Sequence, residues 1–169
     1  LRTKNYLIAA FAVIVCVIFD QWTKMLAVKH LKDQDPFVIW ENVFELHYLE
    51  NRGAAFGILN DQRWVFMVFS FVSMGLIIYL LVREYKRHKL LNIALAMVLG
   101  GGIGNMFDRI GLGYVVDFID FCAFPRLWQW IFNGADSFVC IGAGLLILAL
   151  ILDIIKEYKD GFPIIVEDE

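Results

Sequence analysis

Two aspartates stand out by the apolar company they keep. Asp117 lies in Tyr114-Val115-Val116-Asp117-Phe118-Ile119-Asp120, and Asp136 lies in Asn133-Gly134-Ala135-Asp136-Ser137, which opens the last long apolar stretch. A carboxylate at the centre of a membrane helix costs about 2.5–3.5 kcal/mol on insertion scales, so an acid placed there is a functional candidate. Two converging acids suit the activation of water, one ionised to take a proton and one protonated to give it. A plainer reading competes. Asn133 followed three residues later by Asp136 is also a helix N-cap with an acidic first turn. That accounts for both residues without chemistry but leaves Asp117 unexplained. Asp120, three residues after Asp117, is a rival for the same role.

Further polar residues fall at helical spacing. Asp20 and Lys24 are one turn apart, either a snorkelling ion pair at a helix end or a pair that orients catalytic groups. Gly100 and Gly104 have the spacing that lets helix backbones approach. Gly101, Asn105, Asp108 and Arg109 share a face, so a close-packed stripe leads into a polar cluster. Arg109 would neutralise Asp108 or Asp20, or meet lipid phosphate. His30, His47 and His88 lack metal-ligand spacing, and Ser137 has no evident base, which disfavours nucleophilic catalysis. Of the three cysteines, Cys16 and Cys140 read as packing residues, and Cys122 has no evident partner. Neither a metal nor a cofactor is expected.

These residues must be positioned by a membrane protein. The 169 residues are 60% apolar, with a mean hydropathy of +0.64, and leave no room for a second domain. A spanning helix needs about 20 apolar residues, and 6–28, 64–82, 90–110 and 133–155 qualify. The loop Arg83-Glu84-Tyr85-Lys86-Arg87-His88-Lys89 carries four basic residues; Arg2 and Lys4 precede the first span, and Lys156 and Lys159 follow the last. The positive-inside rule therefore puts 1–5, 83–89 and 156–169 in the cytoplasm and 29–63 and 111–132 outside. Arg2 and Lys4 before an apolar run resemble a secretory signal, but no small-residue cleavage site follows Phe19, so an uncleaved first helix is expected. All five tryptophans, Trp22, Trp40, Trp64, Trp128 and Trp130, fall on the outer side. In the 29–63 connection Phe44, Leu46 and Tyr48 alternate, which predicts a small antiparallel sheet with a glycine-bearing turn in Asn51–Gly57. The aromatic 111–132 connection is expected to lie along the membrane interface as a loop or helix. A net charge of −3 without a basic, aromatic-interleaved stripe excludes nucleic acid as a partner.

Five blocks, in order, resemble the bacterial lipoprotein signal peptidases, the signal peptidase II family of aspartyl peptidases. They are Asp20-Gln21-Trp22-Thr23-Lys24, Asn51-Arg52-Gly53-Ala54-Ala55-Phe56, Gly104-Asn105-Met106-Phe107-Asp108-Arg109, Val115-Val116-Asp117-Phe118 and Asn133-Gly134-Ala135-Asp136-Ser137. The resemblance implies four transmembrane helices with an extracytoplasmic β-cradle, and Asp117 and Asp136 as the catalytic dyad. It implies that Asp20, Asn51, Asn105, Arg109 and Asn133 bind substrate or orient the dyad; Lys24, Gly53 and Asp108 join them as neighbours in the same blocks. The implied substrate is a prolipoprotein with a diacylglyceryl-modified cysteine, cut just before that cysteine at the outer face of the bacterial cytoplasmic membrane. The expected surroundings are membrane lipids and the expected state a monomer. The rival reading is a proton- or ion-coupled transporter, which also uses intramembrane acids. Against it, the polar residues gather at one face instead of tracing a path. A structural adaptor would need no paired acids.

Overall fold

The computed structural model describes residues 2–53, 63–84, 89–124 and 130–160. Four helices carry the apolar stretches: α1 (Arg2–Leu31), α2 (Arg63–Glu84), α3 (Lys89–Gly111) and α4 (Gly134–Lys159). Three contain segments long and apolar enough to cross a membrane: Tyr6–Leu31, Lys89–Gly111 and Gly134–Lys159. The described apolar stretch of α2, Met67–Arg83, is shorter. Helix α3 packs against the other three, and much of its length is buried. Long apolar side chains along α1, α2 and α4, such as Phe11, Phe69 and Ile154, remain exposed, as a lipid-facing surface requires.

Gly104 sets how closely α1 approaches α3. A Cβ at that position would stand 2.5 Å from Asp20 Oδ2, so only glycine lets Asp20 lie against the α3 backbone. Gly113 follows α3 with φ 86°. Its N–H and that of Leu112 both donate to the Asp108 carbonyl, at 3.2 and 2.7 Å, a left-handed helix ending that glycine favours. The chain is thereby turned directly into a strand.

The sheet has four antiparallel strands in chain order: β1 (Phe37–Trp40), β2 (Phe44–Asn51), β3 (Val115–Asp120) and β4 (Ile131–Phe132). One expectation is corrected here. The 111–132 connection supplies β3 and β4, and among the described residues it holds no helix beyond the end of α3. Its run Val115-Val116-Asp117-Phe118-Ile119 is β-branched and aromatic, and it finds a partner edge in β2; Trp128 lies outside the described residues. In the β1–β2 turn Asn42 takes the left-handed conformation (φ 60°), which asparagine tolerates, and Val43 N–H donates to the Trp40 carbonyl at 3.0 Å. Beyond Gly53, the glycine-bearing turn expected in Asn51–Gly57 lies outside the described residues. Val116 and Phe118 pack on Ala27 of α1, with Leu46 and Tyr48 beside them. The sheet thus closes one end of the bundle, where α1 and α3 finish and α4 begins.

Candidate active site

That end of the bundle gathers the polar residues from five elements, α1, β2, α3, β3 and α4. Asp117 lies on β3, 1% exposed. Its Oδ2 accepts from Asn51 Nδ2 at 2.8 Å and its Oδ1 from Asn133 Nδ2 at 2.6 Å. Asp136 lies in the first turn of α4. Its Oδ1 accepts from Asn105 Nδ2 at 2.7 Å and its Oδ2 from the Asn133 backbone N–H at 3.3 Å. Both acids line one open cavity of about 320 Å³, with Asn51, Trp130, Phe132, Val139 and Cys140 among its walls.

The helix-cap reading of Asn133 and Asp136 is correct and incomplete. A reciprocal capping box is present, yet Asn133 Nδ2 also reaches Asp117 and Asn105 Oδ1, the latter at 3.1 Å. One fully buried amide therefore ties the two acids together. Three asparagines share a device. An amide that accepts through oxygen must donate through nitrogen. The Gly53 N–H donates to Asn51 Oδ1 at 3.2 Å, the Asp136 N–H to Asn133 Oδ1 at 2.9 Å, and Lys24 Nζ to Asn105 Oδ1 at 2.8 Å. Each donor fixes its amide so that the NH₂ group faces an aspartate.

Beneath the asparagines lies a buried ion cluster. Lys24 Nζ is 2.9 Å from Asp20 Oδ2 and 2.9 Å from Asp108 Oδ2, with side chains no more than 4% exposed. A charge so buried is tolerated only when paired and hydrogen-bonded, and Lys24 meets three acceptors. Asp20 Oδ1 also accepts from the Ala135 N–H at 2.7 Å, which satisfies an orphan donor in the first turn of α4. Asp108 Oδ2 accepts from the Val116 N–H at 3.1 Å, pinning the start of β3. The snorkelling reading of Asp20 and Lys24 is thus corrected: the ammonium points inward, because two acceptors await it on α3.

Arg109 is half-buried and donates to the Asn105 carbonyl at 3.4 Å; its guanidinium is in electrostatic range of Asp136, Asp117 and Asp108. The counter-charge of Asp108 and Asp20 is Lys24, since Lys24 rises from the facing helix between them. Sequence reasoning missed Gln21, whose Nε2 lies 3.0 Å from Asp108 Oδ1 and 3.2 Å from both Asp20 Oδ2 and the Gly104 carbonyl. Its signal was a polar amide inside an apolar helix. Asp120 stays apart from the acids' hydrogen bonds, beside His47 at 4.0 Å. Cys140 is exposed on α4 and lines the cavity, because that face of the helix looks into the cleft instead of a neighbouring helix.

Burial pushes the Asp117 carboxyl up to about 7. The Asn51 and Asn133 amides pull the other way, and the charge of Asp136 adds to the rise. A carboxyl near 7 beside a second carboxyl favours a pair that shares one proton at neutral pH. Next to Asn51, the Glu50 carboxyl is held down at about 2 by hydrogen bonds from Arg52 and Lys32, which secures that end of β2 at the surface. The arrangement presents a proton acceptor and a proton donor to one water-accessible cavity.

Residues 12–152 match the family model for signal peptidase (SPase) II. The chain belongs to the signal peptidase II family. It is therefore a peptidase. A lipoprotein signal peptidase of Caldanaerobacter subterraneus subsp. tengcongensis is 45% identical over 153 residues, 90% of this chain and 98% of that one. A second, of Halalkalibacterium halodurans, is 40% identical over 147 residues, 87% of this chain and 94% of that one. A solved bacterial membrane enzyme superposes with a TM-score of 0.75 at 30% identity, covering 95% of this chain and 93% of that one. Membership of this peptidase family sets aside the transporter and adaptor readings.

Proposed function

We propose that the chain is an intramembrane aspartic endopeptidase that removes the signal peptide from diacylglyceryl-modified prolipoproteins, cutting before the lipidated cysteine. The observation that carries this is the pair Asp117 and Asp136, on different elements, lining one cavity and bridged by the Asn133 amide. The ionised member of the pair takes a proton from water as that water attacks the scissile carbonyl. The protonated member hydrogen-bonds the developing oxyanion and then hands a proton to the leaving amine. The two roles belong to the pair as a unit. Asn51, Asn105 and Asn133 hold the carboxylates in place; Asp20, Lys24, Asp108 and Gly53 position those asparagines; Arg109 supplies positive charge beside the cavity.

In this reading α2 is the fourth span. The basic segments 1–5, 83–89 and 156–169 then face the cytoplasm of a bacterium, and the sheet end faces outward, with the enzyme acting as a monomer. A site at the outer interface suits a substrate whose peptide needs water and whose acyl chains need hydrocarbon. The test is a gel-shift assay with purified protein in detergent and a diacylglyceryl-modified prolipoprotein. The parent cleaves, whereas Asp117→Asn and Asp136→Asn, folded and membrane-inserted, do not. Near-normal turnover by either variant would overturn the dyad.

A further inference from the structure

The part of β3 that lies beyond Asp117 carries a second cluster that the peptidase chemistry does not use. Glu45 and His47 on β2 and Asp120 on β3 each place one ligand atom within 4.8 Å of the others, all three half-buried. The strands produce this juxtaposition. Glu45 pairs directly with Asp120, and the register shifts between Leu46 and Leu49. The shift marks a bulge beside the cluster, and His47, two residues after Glu45 on the same strand, lies beside Asp120 because alternate residues share a face. No histidine spacing in the sequence signalled this, because the third ligand comes from a strand some 70 residues away in the chain.

Two carboxylates directly opposite each other on neighbouring strands repel. Among the described residues, the only recorded ion-pair partner of either is His47, with Nδ1 4.0 Å from Asp120 Oδ2 and 43% of its side chain exposed. A dication between the three would relieve this repulsion.

We infer that Glu45, His47 and Asp120 form a divalent-cation site, with zinc the fitting metal, that staples β2 to β3 across the bulge. One imidazole and two carboxylates are ligands that zinc accepts, with water completing a tetrahedron; magnesium and calcium prefer oxygen alone. Zinc bonds of about 2.0–2.2 Å set tetrahedral ligands about 3.4 Å apart. The His47–Asp120 separation of 4.0 Å closes to that by side-chain rotation. The staple is structural: it holds the strand pair that also carries Asn51 and Asp117, and it contacts neither catalytic acid.

The test uses the whole purified protein in detergent, stripped of metal with a chelator and titrated with zinc against a chromophoric competitor. The expected result is one zinc per chain with micromolar affinity, and a melting temperature that rises with zinc. His47→Ala and Asp120→Asn each weaken binding at least tenfold and abolish the rise, whereas His30→Ala leaves both unchanged. Glu45→Gln reads the same site should either variant melt early without metal. Absence of saturable zinc uptake, or uptake unaltered by these substitutions, would overturn the inference.

Discussion

Lys24→Met is the most discriminating perturbation of the site, because one ammonium holds three groups at once. It lies 2.9 Å from Asp20, 2.9 Å from Asp108 and 2.8 Å from Asn105 Oδ1. Methionine keeps the length and apolar stem of lysine and removes only the charge and its donors. Removing one partner of a buried ion pair costs about 3–5 kcal/mol. The lower part of that range applies here, since Asp20 keeps the Ala135 N–H and Asp108 keeps the Val116 N–H. A chain of this size loses about 2–4 °C of melting temperature per kcal/mol, so the variant melts roughly 10 °C below the parent. Tryptophan fluorescence of the protein in detergent reads the transition. Adding Asp20→Asn and Asp108→Asn to Lys24→Met removes the stranded charges and restores part of the loss.

The same substitution separates positioning from stability. Lys24 Nζ and Asn133 Nδ2 both donate to Asn105 Oδ1, at 2.8 and 3.1 Å, leaving Nδ2 for Asp136. Without Lys24 only the longer, neutral bond from Asn133 holds that orientation, and the Asn105 amide is less firmly fixed toward Asp136. Loss of one charge-assisted hydrogen bond, about 1.5–3 kcal/mol, corresponds to a fall in kcat of roughly 10–100-fold with KM little changed. A Lys24→Met enzyme that melts within about 2 °C of the parent, less than 1 kcal/mol at this size, would refute the buried triad as a keystone. Unchanged kcat would refute the orientation of Asn105 by Lys24.

Three further outcomes are expected. Gly104→Ala drives a methyl onto Asp20 Oδ2, 2.5 Å away, an overpacking worth about 1–3 kcal/mol that thermal melting reads as a loss of several degrees. Asp117 has a folded pKa of about 7 against a usual 3.8, so the stability it contributes is full below about 4 and lost as pH rises through 7. The melting temperature of Asp117→Asn minus that of the parent therefore grows from pH 5 to pH 8, and a flat difference would contradict the raised pKa. Asn133→Ser keeps a capping hydroxyl for α4 and removes the amide that reaches Asp117; turnover falls about 10–100-fold in single-turnover cleavage, with a smaller change in melting temperature than Lys24→Met.

The acids were legible because apolar surroundings made Asp117 and Asp136 conspicuous, and the five ordered blocks carried the family. Helical periodicity put Asn105, Asp108 and Arg109 on one face, and the buried members of that face do meet α1 and α4. What stayed hidden was long-range. That Lys24 would choose both Asp20 and Asp108 depends on how closely α1 and α3 approach at Gly104. That Val115–Asp120 is a strand depends on an edge supplied by β2, 64 or more residues earlier in the chain. Cys140 read as a packing residue because an apolar helix gives no sign of which face looks into a cleft. Asp120 competed with Asp117 on sequence alone; only the sheet separates them, by giving one the asparagine amides and the other His47.

The choice of asparagine around the acids has a physical logic. The site brings together four carboxylates, Asp20, Asp108, Asp117 and Asp136, against two cations, Lys24 and Arg109. A lysine beside Asp117 or Asp136 would hold that carboxylate ionised and remove the shared proton on which acid–base chemistry depends. Amide donors stabilise a carboxylate less than a full charge does, so Asp117 stays at about 7 even with two of them. Lys24 is placed one layer below instead, on Asp20 and Asp108. Those two carboxylates hold the α4 and β3 backbones through Ala135 and Val116, the segments that deliver Asp136 and Asp117. Charge builds the scaffold, and neutral amides tune the acids mounted on it.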